Sequence, residues 1–181
     1  MITQYIPDVF AAVVAKVSQT MEARATNPFK VFFDFGHYSE VTKNLTLKDS
    51  SVTQKDKKYP LVWLVMDFDE AIGESPADYA RLTGVQFIIA VPTTIDYTMT
   101  ERRDKNFLPF LYPIYAEFIK QMAVAPEFGM PGELLLKHTK TDRPYWGGSD
   151  QLGNGAANLF NDFIDAIQIR NLKLNVKQKT C

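Results

Sequence analysis

Carboxylates and histidines are the side chains here with the strongest claim to chemistry. Asp67, Asp69 and Glu70 crowd together directly after an apolar run, and Asp34 and His37 close an earlier one. Hard cations such as Mg²⁺ take carboxylates at strand ends, so a metal-dependent hydrolase using Asp67, Asp69, Glu70 and His37 is one reading. The spacing fits no fixed ligand pattern, however, and an acidic surface loop after a buried strand is the commoner meaning of such a patch. His37 and His138 are the two histidines, and no Gly-x-Ser-x-Gly accompanies them. The single cysteine, Cys181, is the last residue, so a nucleophilic triad has little to build on. His37, next to Gly36, is expected to hydrogen-bond locally in a turn.

Four further clusters bear on contact rather than catalysis. Gly147 to Gly155 is glycine-rich but lacks the Lys-Ser/Thr ending of a phosphate-binding loop, and Asp150 would repel phosphate; it is expected to be a flexible loop. Tyr145 and Trp146 beside it are candidate partner anchors, with an aromatic pair folded onto its own domain as the equal alternative. Lys55, Lys57 and Lys58 make a basic cluster in a polar stretch. Arg102, Arg103 and Lys105 alternate with Glu101 and Asp104, which points to a solvated helix face and away from a nucleic-acid surface.

Composition narrows the classes. A chain of 181 residues, 46% hydrophobic and 23% charged, suits one folded domain over residues 1–176, with 177–181 expected as a disordered tail. Lys plus Arg is 20 and Asp plus Glu is 21, so no global field recruits nucleic acid or an anionic membrane. The N-terminus has no basic region ahead of an apolar run, so a signal peptide is not expected.

The elements that position these residues follow from periodicity. Leu61 to Met66 is a continuous apolar run rich in β-formers, expected as a central strand covered on both faces. Ahead of it, Ile2 to Met21 carries apolar residues at three- and four-residue spacing, an amphipathic helix ending near Ala25 before Asn27-Pro28. Phe29–Phe35 is predicted as a strand, Ser39–Leu45 as a short helix, and Thr46–Lys58 as a solvated loop. Arg81–Val91 is another strand. Thr98 to Glu101 forms a capping box, and Phe107 to Met122 keep helical phase despite Pro109 and Pro113, which predicts a kink or a restart. Met122–Gly132 is expected as a loop and Glu133–Thr141 as a strand. In the last strand Ile167 and Ile169 alternate in one register and Leu172, Leu174 and Val176 in the other, predicting a β-bulge at Arg170-Asn171. The fold class is α+β: a mostly antiparallel sheet of about five strands, flanked by an N-terminal helix and a second, proline-containing helix.

Four phrases carry a resemblance: Phe33-Asp34-Phe35-Gly36-His37-Tyr38-Ser39-Glu40, Lys58-Tyr59-Pro60-Leu61-Val62-Trp63-Leu64, Glu101-Arg102-Arg103 through Phe107 to Tyr115, and Asp165 to Leu172. Together they resemble the small neck and tail-completion (tail-terminator) proteins of tailed bacteriophages, in hydrophobic pattern and short phrases over most of the chain. The resemblance implies a structural virion protein of the neck and tail region, assembled in the host cytoplasm, with no enzymatic activity, no cofactor and no membrane. Such a subunit forms a hexameric ring that caps the tail tube and meets the head connector, while DNA passes through the lumen without sequence-specific binding. A head-side connector or stopper, as a dodecamer, is the alternative. In a ring, Asp67, Asp69 and Glu70 could face Lys55, Lys57 and Lys58 of the neighbouring subunit.

Overall fold

The computed structural model describes residues 5–51, 54–72, 79–129, 136–146 and 162–177. The glycine-rich stretch 147–155 and residues 178–181 of the expected tail lie outside them, whereas Lys177, expected with the tail, ends the last strand.

Helix α1 (Ile6–Glu22) opens with Pro7 in its first turn, where a missing N–H costs nothing. It lays Val9, Phe10, Val13, Val17 and Met21 on the sheet. Strand β1 (Phe32–Gly36) starts three residues later than expected, because the Val31 N–H is taken by Ser18 Oγ of α1 at 2.9 Å and not by a strand. Helix α2 (Tyr38–Asp49) overruns its predicted end into the stretch read as a loop. Its hydroxyls explain the extension: Thr42, Thr46 and Ser50 each donate to the carbonyl one turn back, so the polar run is satisfied within the helix. A short 3₁₀ turn, Lys55–Lys57, follows. Strand β2 (Leu61–Val65) is buried at every position, as its unbroken apolar run requires.

Strands β3 (Asp69–Ile72) and β4 (Tyr79–Pro92) come next. Thr98 and Glu101 cap α3 (Met99–Arg102) reciprocally. A π-helical segment, Arg103–Leu111, then runs into α4 (Tyr112–Val124). Pro109 accounts for the π segment. In an α-helix its ring would clash with the carbonyl four residues back, and the wider turn relieves that contact. Arg24, just past the end of α1, donates to the Pro109 carbonyl at 3.0 Å, and Pro113 sits in the first turn of α4, so the helix restarts there. Strands β5 (Phe128–Gly129), β6 (Thr139–Trp146) and β7 (Ile164–Lys177) complete the chain. Phe128–Gly129 was expected as loop, and β6 lies further along than the predicted Glu133–Thr141, of which 133–135 fall outside the described residues.

The sheet runs β1-β2-β4-β7-β5, with β3 pairing β4 and β6 pairing β7, so seven segments form a mixed, mostly antiparallel sheet about five strands wide that curls into a half-barrel. The parallel pair is β1 with β2, joined by the α2 crossover that parallel strands need. The pairing of β4 with β7 slips between Leu82 and Val85 and slips back between Val85 and Phe87. One bulge contains Gly84 (φ +78°), the other Arg170 and Asn171 (φ +58°). The second bulge, expected from the phase change, lets Ile167, Ile169, Leu172, Leu174 and Val176 all face one core. That core lies under α1 and α4, where Phe87 meets Phe10 and Phe118 edge-to-face, each at 4.8 Å. A smaller core on the opposite face joins Val41 and Leu45 of α2 to Leu61, Trp63, Ile88 and Ala166.

Candidate functional site

The acidic patch does not gather into a metal site. Asp67 follows β2, and Asp69 and Glu70 lie on β3; all three are exposed. Asp69 sits opposite Thr83 and Glu70 opposite Leu82, so strand alternation sends the two carboxylates to opposite faces. His37 is exposed at the start of α2 and makes no capping hydrogen bond there, while Asp34 pairs with Lys48 at 3.5 Å. Among the described residues no three His, Cys, Asp or Glu side chains are placed to hold a metal.

The lysine cluster divides. Lys57 is exposed in the 3₁₀ turn. Lys58 is buried and held within the chain, its Nζ 2.6 Å from both Asp49 and Asp162. The Tyr59 hydroxyl donates to the same Asp162 carboxylate at 2.8 Å. Burial, and then the Asp162 charge, push the Tyr59 phenol far above its ordinary value.

Tyr145 and Trp146, the aromatic candidates, are folded onto the domain. Tyr145 stacks on Phe163 at 5.2 Å, and the Arg102 guanidinium lies 4.9 Å from its ring centre. Trp146 packs against the smaller core with Arg143 over its ring at 5.7 Å. What fixes Tyr145 is a buried polar network centred on Asp165, which is fully buried. Asp165 Oδ1 accepts from Arg102 Nη1 at 3.0 Å and from the Tyr145 N–H at 2.8 Å. Its Oδ2 accepts from Asn106 Nδ2 at 2.7 Å and Thr93 Oγ1 at 2.9 Å. Arg102 also donates to the Thr94 carbonyl at 2.7 Å. Tyr145 has φ +51°, a conformation disfavoured for a side chain of this size, and these bonds hold it there.

Arg102 is therefore not part of a solvated face; Arg103 and Lys105 are. The signal was present in the sequence. Arg102 and Asn106, four residues apart, extend the inward stripe of Phe107, Leu111, Ile114 and Phe118 by one turn. Their polarity hid them.

A second polar constellation joins α4 to β6. The Leu136 carbonyl lies 2.7 Å from His138 Nδ1 and can only accept, so Nδ1 carries the proton and Nε2 accepts from the Tyr115 hydroxyl at 2.8 Å. Lys140 Nζ sits 4.8 Å from the Tyr112 ring and 5.5 Å from that of Tyr115. Burial and the Asp142 charge raise the Tyr115 phenol, which keeps it protonated and poor as a nucleophile.

Among the described residues, exposed aromatic side chains meet at the start of the sheet. Tyr5 (55% exposed) meets Phe35 (37%) edge-to-face at 5.9 Å, and Phe35 stacks on Phe33 at 6.2 Å. They stand at β1, which pairs on one side only, with β2, among the described residues. Phe32 donates to Pro60 and Gly36 accepts from Met66, so the backbone groups of Phe33 and Phe35 point away from the sheet. The opposite edge differs: β6 carries Lys140, Asp142, Arg143 and Pro144, residues that discourage strand addition. No protein-family model matches this chain, and no curated protein matches it.

Proposed function

We propose that the chain is a ring-forming subunit of the neck of a tailed bacteriophage, a tail terminator that caps the tail tube and joins it to the head connector. It acts by contact, itself, the tube and the connector being its partners, while DNA passes the lumen without sequence-specific binding. The observation that carries this reading is the aromatic edge at β1, where exposed Tyr5 and Phe35 and half-buried Phe33 stand at a strand with no neighbour on its outer side among the described residues, the Phe35 N–H being turned onto Asp34 Oδ1 at 3.0 Å. Exposed apolar surface next to an unprotected strand edge favours association with another chain. The resemblance supports it too, since its four phrases fall on the framework around β1, β2, α3 to α4 and β7. The test is the double variant Tyr5→Ser, Phe35→Lys. It is expected to abolish the multimer while leaving the melting temperature nearly unchanged, because both side chains are already exposed. A double variant that still assembles would remove the β1 edge from the account. A ring of about twelve copies would favour the head-side connector.

A further inference from the structure

On the sheet face opposite α1, the β6–β7 half carries two guanidinium groups with no carboxylate partner among the described residues. Arg143 lies opposite Ala166 and Arg170 opposite Thr139, so both side chains share the face of Ala166 and Gln168. Arg143 spends Nε and Nη2 on the Gln168 carbonyl at 3.1 and 2.9 Å, and its Nη1 has no hydrogen-bond partner among the described residues. Arg170 makes no ion pair among the described residues, and its Nε is buried with no hydrogen-bond partner. It is the one buried side-chain nitrogen or oxygen left unsatisfied among the described residues. A desolvated guanidinium N–H without an acceptor is costly; Nε itself is closed to solvent, and what an oxyanion can reach on this half-buried residue is its terminal nitrogens, which make no hydrogen bond among the described residues. Beside it, Gln86 Nε2 donates to the Tyr38 hydroxyl at 2.7 Å, leaving the Tyr38 proton available to a further acceptor. Asp67 and Arg170 both act on Tyr38 electrostatically, so the Asp67 carboxylate, among the described residues, opposes anion binding here.

We propose that Arg170, assisted by Arg143 and the Tyr38 hydroxyl, forms a binding site for phosphate oxyanions. The backbone positions of Arg143 and Arg170 lie roughly 13 Å apart along the strands, so two phosphates of one chain suit the pair, while a single free ion would be held by Arg170. The site does not depend on the ring reading; it stands on the unpaired fork alone.

The test is thermal denaturation of the full chain titrated with sodium phosphate and, separately, with a short single-stranded oligonucleotide, ionic strength being matched with chloride. Wild type is expected to gain roughly 5–10 °C at a hundred times Kd, and Arg170→Met to gain nothing. Arg170→Lys keeps the charge without the fork and is expected to lose most of the gain. Arg170→Met should melt at or above the phosphate-free wild type, because it removes the unsatisfied N–H, so the variant remains interpretable. A response to both probes assigns phosphate chemistry in general. A response to the oligonucleotide alone assigns a nucleic-acid backbone, with log K falling against log salt with a slope near −1.4 for about two contacts. A response to phosphate alone assigns a free ion. Equal behaviour of wild type and Arg170→Met towards both probes, or a chloride effect of the same size, overturns the proposal.

Discussion

Replacing Asp165 by alanine tests whether the buried network holds the helix start, the end of β4 and the strand pair β6–β7 together. The carboxylate accepts four hydrogen bonds, from Arg102, Tyr145, Asn106 and Thr93, at 2.7 to 3.0 Å. Arg102 is 4% exposed, so losing its counter-ion strands a cation where water reaches it poorly. Removing one partner of such a pair costs about 3–5 kcal/mol, whereas the pair itself is worth less against a well-packed apolar replacement. Asp165→Ala is therefore expected to lower the melting temperature by roughly 6–20 °C at this chain length. Arg102→Met should do comparable damage. The double variant Arg102→Met, Asp165→Ala should cost less than the two singles added, by about 1–3 kcal/mol. The assay is urea unfolding followed by far-ultraviolet circular dichroism, with the midpoint shifting at constant slope. An Asp165→Ala cost below about 1 kcal/mol, or strict additivity of the cycle, would refute the reasoning.

Other expectations follow from single sites. Lys58→Met leaves Asp49 and Asp162 without their shared cation and should cost about 1–3 kcal/mol, while exposed Lys57→Met should stay within about 0.5 kcal/mol; chemical denaturation separates them. Thr98→Ala removes the cap of α3 and should cost about 1 kcal/mol at neutral pH. The same cap predicts a pH dependence. Bonds from Thr98, backbone first, and then Lys105 hold the Glu101 carboxyl down at about 2. Its folded value lies below its unfolded one, so its contribution is complete above the ordinary carboxylate range and is lost as pH falls from there towards 2. Glu101→Gln should flatten that part of the stability curve, which acid titration of the melting temperature reads directly.

What was legible in the sequence was whatever periodicity or local chemistry determines. The unbroken run Leu61 to Val65 announced a strand covered on both faces, Thr98 and Glu101 announced their cap, and the phase change at Arg170-Asn171 announced its bulge. The misses have a common cause, which is partners distant in sequence. The length of α2 depends on hydroxyls bonding back one turn and on Lys48 and Asp49 reaching Asp34 and Lys58. β1 begins late because Ser18 claims the Val31 N–H. Arg102 looked like a surface charge because its counter-ion stands sixty-three positions away. Lys58 looked like a contact residue for the same reason, with Asp162 hidden far along the chain. The parallel pairing of β1 with β2 needed the whole crossover to be seen as one unit. The acidic patch came out as its commoner meaning, an exposed surface: Asp67 stands outside the strand, and alternation along β3 parts Asp69 from Glu70.

The central claim is that this chain works as a ring. Its most direct test is the native mass of the purified protein by light scattering over a wide concentration range, with negative-stain imaging of any large species. The account predicts a discrete multimer of about six copies of the 20.6 kDa chain, seen as closed rings and lost in Tyr5→Ser, Phe35→Lys. A strict monomer at every concentration would contradict it.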